Sequence, residues 1–189
     1  MSLWFKTARS CYPAEVSIDT LQTPSALVDF DRLEANAKRM AEKALRLGAR
    51  LRPHVKTHKC IEVARIQTDL HFGGVTVSTL AEAQAFAAGG FNDITYAVPI
   101  APQKIAKAAD LHAEIGHLNL IVDHPDTVRA IEELARSRKI SLPVFLEIDC
   151  GGGRSGVDPA SDIAQLVVRR LADSEEIDFR GLLTHASHA

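Results

Sequence analysis

Short apolar runs alternate along this chain with longer stretches in which apolar residues return every three or four positions. The first pattern predicts buried strands and the second amphipathic helices. Residues 25–30, SALVDF, predict a strand. The segment DRLEANAKRMAEKALRLG predicts a helix whose inner face carries Leu33, Ala37, Met40, Ala44 and Leu47. Asp31 and Glu34 pair at its start and Gly48 ends it. The alternation then repeats. ARLRPHV predicts a strand and KCIEVARIQTD a helix. GVTVS is followed by TLAEAQAFAAGG, with Thr79 and Glu82 as a capping box. DITYAV precedes a helix from about Pro102 to Glu114, LNLIVD a helix opening near Pro125, and LPVFLEID a helix opening near Pro159. DFRGLLTH is the last predicted strand.

Strands separated by helices in this way predict repeated βαβ units and a parallel sheet. Without SALVDF there are six strand–helix repeats, the last lacking its helix. A (β/α)8 barrel needs eight strands and typically about 250 residues, whereas a doubly wound open sheet needs five or six strands. On count alone a complete chain of this length favours the open sheet, and a barrel requires the chain to be a fragment.

Composition narrows the class. The chain has 189 residues, is 46% hydrophobic and 24% charged, and has a formal net charge of −2. These values fit a soluble globular domain and give no electrostatic footprint for nucleic acid or an anionic membrane. Three scattered cysteines, Cys11, Cys60 and Cys150, point to free thiols in a reducing compartment. The N-terminus carries no signal-peptide pattern and no segment approaches a membrane span, so a cytoplasmic protein is expected.

The stretch RPHVKTHKC, residues 52–60, concentrates the candidate chemistry. If residues 51–56 form a strand, Leu51, Pro53 and Val55 face one way and Arg52, His54 and Lys56 the other. A sheet covered on both faces would bury that cationic row at high cost. A barrel would point it into the lumen near the C-terminal mouth, where catalytic groups belong. There Lys56, withdrawn from water among other cations, can form a Schiff base with a carbonyl. Lys59 falls in the following turn. The alternative is that the strand ends by Arg52 and the rest is a wet loop. A helical metal pair, His54 and His58, conflicts with Pro53.

Two further segments stand out. In EIDCGGGRSGVD, Gly151, Gly153 and Gly156 match G-x-G-x-x-G between a strand and a helix, the setting of a dinucleotide fingerprint. Against it, Arg154 sits inside the loop, the motif lies at the fifth repeat, and the acidic candidates Glu175, Glu176 and Asp178 precede the next strand. A plain turn, or a loop that brings Arg154 to a ligand oxygen, remains open. In THASHA, His185 and His188 close the last strand, and either could serve a bound ring or be merely exposed.

Taken in order from about Thr23, TPSALVDFDRLEANA, LRPHVKTHK, TVSTLAEAQAFAAGG, DITYAVPIAP, LIVD, EIDCGGGRSGV and GLLTHASH resemble the pyridoxal-phosphate enzymes with an alanine racemase-like N-terminal domain. The likeness is strongest to the D-serine dehydratase and D-threonine aldolase group. It implies a parallel (β/α)8 (TIM-type) barrel, here ending after about six strands, with the C-terminal β-domain absent. Residues 1–22 would be an N-terminal extension, residues 23–189 an incomplete barrel domain, and SALVDF part of the β-domain. Carried over by position, Lys56 is the cofactor lysine, Arg154 contacts the cofactor's phenolic oxygen and His185 lies against its pyridine ring. His54 and Thr184 join the cofactor-binding set. Ser187 stands where the group usually has glycine.

The resemblance implies a pyridoxal 5'-phosphate-dependent lyase of D-β-hydroxy amino acids, nearest the D-serine dehydratases. D-Threonine aldolase-type cleavage and amino-acid racemisation are the alternatives within the family. An NAD-dependent dehydrogenase using the Gly151–Gly156 loop and a non-catalytic cofactor-binding protein are the alternatives outside this reaction class. A divalent metal, zinc or manganese, is expected with ligands outside this chain, as is a homodimer. The chain alone is expected to be weakly active or inactive, because an incomplete barrel exposes two sheet edges.

Overall fold

The computed structural model describes residues 18–70 and 72–186. Five parallel strands form one sheet in sequence order: β1 (Val75–Val77), β2 (Asp93–Pro99), β3 (His117–Val122), β4 (Leu142–Ile148) and β5 (Ile177–Thr184). Helices α1 (Phe30–Arg46), α2 (Ile61–Thr68), α3 (Leu80–Ala88), α4 (Ile105–Ile115), α5 (Pro125–Arg138) and α6 (Asp162–Asp173) alternate with them. Each strand pairs with its predecessor and the order never reverses. A doubly wound sheet reverses its order and is covered on both faces. This sheet is covered on one, so it is an arc of a barrel rather than the open sheet that counting favoured.

The strand alternation divides the two faces. Val75, Val77, Ile94, Tyr96, Leu118, Leu120, Val122, Leu142, Val144 and Leu146 join one buried cluster with Ala83, Phe86, Ile105, Val128, Ile131, Val167 and Leu171 from the helices. The intervening positions face the lumen and mix polar residues, Thr76, Thr95, Asn119 and Glu147, with apolar ones such as Ile121 and Phe145. Thr76 pairs with Thr95, and Thr95 with Asn119, across three strands. Thr95, Asn119 and Glu147 are buried polar residues on this face.

The first predicted strand is not in the sheet. Residues 23–29 have no regular structure, and Leu27 and Val28 are exposed. The second, ARLRPHV, shrinks to one parallel bridge between His54 and Thr76, where the Thr76 N–H donates to Pro53 O at 2.8 Å. Pro53 cannot donate to a ladder, and the chain turns at once into a 3-10 turn over Val55–Thr57. The expected side-chain alternation survives around the bridge. Val55 is buried in the helix-side cluster, while Arg52 turns to the other face.

Helix starts were mostly legible. Thr79 Oγ1 accepts from the Glu82 N–H, and Glu82 Oε2 accepts from the Ser78 N–H, one residue before the usual box partner. Pro125 opens α5 behind His124. Two starts move. Asp29, not Asp31, caps α1 by accepting from the Arg32 N–H. Ser161 caps α6, two residues beyond Pro159. The inner face of α1 also differs: Ala41 and Ala44 are buried, whereas Met40 and Leu47 are exposed. Among the described residues no helix is long and apolar enough to cross a membrane.

Candidate active site

The loops after β4 and β5 and the turn after the His54 bridge lie at the C-terminal ends of the strands, the mouth of the arc. The first of these is set by the bridge itself. His54 lies on the lumen side, its Nε2 3.4 Å from Ser78 Oγ, and its Nδ1 accepts from the Lys56 N–H at 3.3 Å. The Lys56 amide is therefore turned to an imidazole rather than to a strand. Lys56 is exposed, not withdrawn from water as a strand position would have made it. Its amine has no hydrogen-bond or ion-pair partner among the described residues, which leaves the nitrogen lone pair open to chemistry once deprotonated.

The neighbouring basic residues are committed elsewhere. Lys59 Nζ lies 3.1 Å from Glu82 Oε1. Burial raises the Glu82 proton affinity, but the Ser78 N–H and the Lys59 ammonium outweigh it and hold the carboxyl below its usual range. His58 accepts from the Cys60 N–H and faces Gln67 Oε1 at 3.1 Å. Arg52 lies below the mouth: it donates to Asp93 Oδ2 at 2.8 Å and stacks 4.9 Å over Phe72. Asn119 Nδ2 donates to the other oxygen of Asp93 and to Thr95 Oγ1. These paired polar groups lie at the N-terminal ends of β1 and β2, away from the mouth.

Burial depresses the His54 proton affinity, and the charge of Lys56 adds to the effect. Glu82 partly offsets this, while His185 pushes the same way. A neutral His54 adds no second cation beside Lys56 at neutral pH.

The glycine loop supplies the opposite wall. Asp149 Oδ1 accepts from the Gly151 and Gly153 N–H groups at 2.9 and 3.1 Å. Residue 157 folds back onto β4: the Val157 N–H donates to Glu147 O, and the Asp149 N–H to Val157 O, both at 2.9 Å. Gly156, at φ +96°, makes this possible, since a Cβ there would lie 2.6 Å from Asp149 N. The conformation argues against a dinucleotide. The amides that would cradle a pyrophosphate already face a carboxylate, and α6 starts five residues too late to offer its N-terminus.

Within this loop Arg154 Nη1 donates to His185 Nε2 at 2.9 Å. The two residues singled out from separate segments thus touch. Cys150 Sγ donates to His185 O at 3.6 Å. Thr184 Oγ1 donates to Ile148 O at 2.9 Å, so its hydroxyl clamps β5 to β4 and is not turned toward the lumen. Cys60 and Cys150 are free thiols. Cys11, Ser187 and His188 lie outside the described residues.

Glu147 was not singled out from the sequence. It sits on the lumen side of β4, 5% exposed, with Oε1 accepting from Ser155 Oγ at 2.9 Å. Burial raises its proton affinity, opposed by the Ser155 bond, with Asp123 raising it further. The available signal was an acid inside the apolar run LPVFLEID. Among the described residues no three His, Cys, Asp or Glu side chains are grouped to hold a metal ion.

Residues 28–189 match the family model described as alanine racemase, N-terminal domain. The D-threo-3-hydroxyaspartate dehydratase of Delftia sp. (strain HT23) is 41% identical over 167 residues, which are 88% of this chain and 44% of that protein. Its solved structure matches with a TM-score of 0.81 at 42% identity, covering 88% of this chain and 44% of that one. The D-serine dehydratase of Dictyostelium discoideum is 35% identical over 185 residues, 91% of this chain and 46% of that protein. A D-threonine aldolase from Filomicrobium marinum matches in structure with a TM-score of 0.77 at 30% identity, covering 85% and 43%. The chain spans less than half the length of the curated relatives it matches. The in-order parallel arc, the partly polar lumen and the match over residues 28–189 agree: the chain belongs to the alanine racemase N-terminal domain family.

Proposed function

We propose that this chain carries the cofactor-lysine half of a pyridoxal 5'-phosphate-dependent lyase acting on D-β-hydroxy amino acids, with dehydratase-type elimination as the main reaction. The observation that carries it is one lysine amine without a partner, Lys56, at a mouth whose far wall is the Arg154–His185 pair. Relatives named as D-threo-3-hydroxyaspartate dehydratase and D-serine dehydratase support the reaction class. The residues fit such a cofactor in three respects: a free amine for its aldehyde, an imidazole to lie against its ring, and a guanidinium for its phenolic oxygen. The glycine loop does not fit its phosphate, because Gly151 and Gly153 are bonded to Asp149.

When bound, pyridoxal phosphate supplies the electron sink that makes a Cα proton removable. Lys56 Nζ is the base that takes that proton. Neutral His54 keeps the surroundings of that amine from gaining another positive charge. Arg154 anchors an oxyanion across the mouth, and His185 holds the guanidinium in place. Thr184 supports the site as a clamp between strands. Loss of the substrate β-hydroxyl as water, followed by hydrolysis, gives a keto acid and ammonia. The divalent metal implied by resemblance has no ligand set among the described residues, and no step here runs through it. Homodimerisation and a cytoplasmic location are part of the same proposal.

Adding pyridoxal phosphate and NAD separately tests the assignment. A stoichiometric visible chromophore with the first alone, lost in Lys56→Ala, supports it, and a chromophore retained in Lys56→Ala sinks it. Feeding D-serine, D-threo-3-hydroxyaspartate and D-threonine then separates the reactions. Keto acid plus ammonia means elimination. Glycine plus an aldehyde means the aldolase reading, which the likeness to a D-threonine aldolase favours as second choice. The L-enantiomer means racemisation, and absence of turnover by the full-length protein, of which this chain is expected to be a part, means a binding protein.

A further inference from the structure

Glu147 is a buried lumen-side acid that the reaction above does not use. Its Oε2 is buried and has no hydrogen-bond partner among the described residues, while Oε1 accepts from Ser155 Oγ at 2.9 Å. Ser155 is the residue next to Arg154. Backbone bonds fix the two ends of the glycine loop, at Asp149 and Val157. Between them, Gly151 and Gly153 bind only within the loop, to Asp149. Ser155 and Gly156 are the points where the Arg154 side of the loop meets the lumen. Ser155 is held by Glu147, and the Gly156 N–H reaches Asp123 Oδ2 at a longer 3.4 Å. A buried acid with one bare oxygen is unfavourable in a purely structural role, since an apolar residue on this strand would cost less.

We propose that Glu147 is a positioning residue which, through Ser155, fixes the glycine loop so that the Arg154 guanidinium stands against His185. This rests on the functional reading above only for what Arg154 then holds. The groups facing Glu147 are Asp123 from the end of β3, Ser155 and Arg154 from the loop, and His185 after β5. Asp123 favours its neutral form, and Arg154 and His185 favour its ionised form. Its ionisation is therefore linked to the position of the Arg154–His185 pair, which a structural hydrogen bond alone would not produce.

Two readouts on the purified protein test this. Hydrogen exchange of the 150–157 amides follows the loop without ligand, and the visible absorbance of added pyridoxal phosphate across pH follows the site. Ser155→Ala and Glu147→Ala are expected to speed exchange in that segment about tenfold, and to weaken pyridoxal phosphate binding by a similar factor, the equivalent of about 1.4 kcal/mol. Glu147→Gln is expected to keep the loop protected, because its amide oxygen still accepts from Ser155, while the pH midpoint of the absorbance moves. Unchanged exchange in Ser155→Ala overturns the inference, whether or not Glu147→Ala folds. An unmoved midpoint in Glu147→Gln overturns it too, by reducing Glu147 to a structural acceptor. If the unsubstituted protein takes up no pyridoxal phosphate, the functional reading fails and loop exchange alone decides the role of Glu147.

Discussion

The two faces of the sheet are made of the same strands and obey opposite rules. On the helix side, Leu118, Leu120, Leu142, Val144 and Leu146 are fully buried and touch only other apolar groups. On the lumen side, apolar residues such as Ile121 and Phe145 alternate in the strands with residues that carry charges and hydrogen bonds: Arg52 with Asp93, Asn119 with Thr95, Glu147 with Ser155. Burial of apolar surface gives most of the stability on the first face, at about 25 cal/mol per Å². On the second face each polar group must find a partner or lose stability. Among the described residues Glu147 Oε2 is a buried oxygen without a partner and the exposed Lys56 amine has none either, and both are at the C-terminal mouth. A single alternating pattern thus sorts residues into those that hold the fold and those free to act.

Substitutions on the two faces should therefore separate stability from chemistry. The largest functional effect is expected from Lys56→Ala. It should abolish the visible chromophore and turnover while leaving the melting temperature unchanged, since the side chain is exposed and bonds to nothing. A large loss of thermal stability would break the division between the faces. Leu146→Ala, on the helix side of the same sheet, should do the reverse. A loss of about 3 kcal/mol in denaturant unfolding is expected for a fully buried leucine, with the cofactor absorbance retained in the folded fraction.

Arg52→Ala should fall between them. It leaves Asp93 Oδ2 without its partner in a half-buried site, and a loss of about 1–3 kcal/mol is expected. The chromophore should persist, because Arg52 sits below the mouth. The smallest mutational effect is expected for Lys59→Ala. Its pair with Glu82 is largely exposed on the lysine side, so at most about 1 kcal/mol is expected, with cofactor binding kept. Were Lys59→Ala to abolish the chromophore instead of Lys56→Ala, the two lysines would have to exchange roles.

A pH series sharpens the same contrast without altering a residue. The folded-state pKa of His54 lies below that of the unfolded chain, about 6.5. The unfolded state then binds the proton first, so His54 lowers stability as pH falls through about 6.5 and stops doing so below its folded value. Glu147 acts with the opposite sign. Its folded pKa is raised, so the unfolded chain loses the proton first, and stability falls as pH rises from about 4.5 to the folded value. His54→Gln should flatten the first slope and Glu147→Gln the second, as read by chemical unfolding at successive pH values.

Much of the site was legible because its cues are local. Thr79 and Glu82 capped α3 as their spacing required. The Arg52, His54 and Val55 alternation held even though the predicted strand shrank to a bridge, since side-chain direction needs only extended backbone at His54. The rest depended on partners distant in sequence. SALVDF has strand propensity but pairs with nothing among the described residues. Lys56 is the local exception: its N–H bonds to the His54 ring two residues back, in the turn that follows the bridge. Glu147 read as one acid in an apolar run, and only the return of Ser155 over β4 showed that it holds the loop.

By itself the sequence determined the βα rhythm, the Thr79 cap and the inward direction of Arg52 and His54, because these follow from local propensity and side-chain period. It also carried, through an ordered set of motifs, the family. The tertiary structure decided what counting had left wrong or open. The strands run in order with helices on one face only, which makes a barrel arc. The glycine loop turns its amides onto Asp149, which removes the dinucleotide reading, and Arg154 meets His185 across the mouth. The strand order and the Arg154–His185 contact join residues far apart in the chain, and no local pattern can specify such contacts before the sheet is formed; the Asp149 turn is local, and the return of Val157 onto β4 closes it.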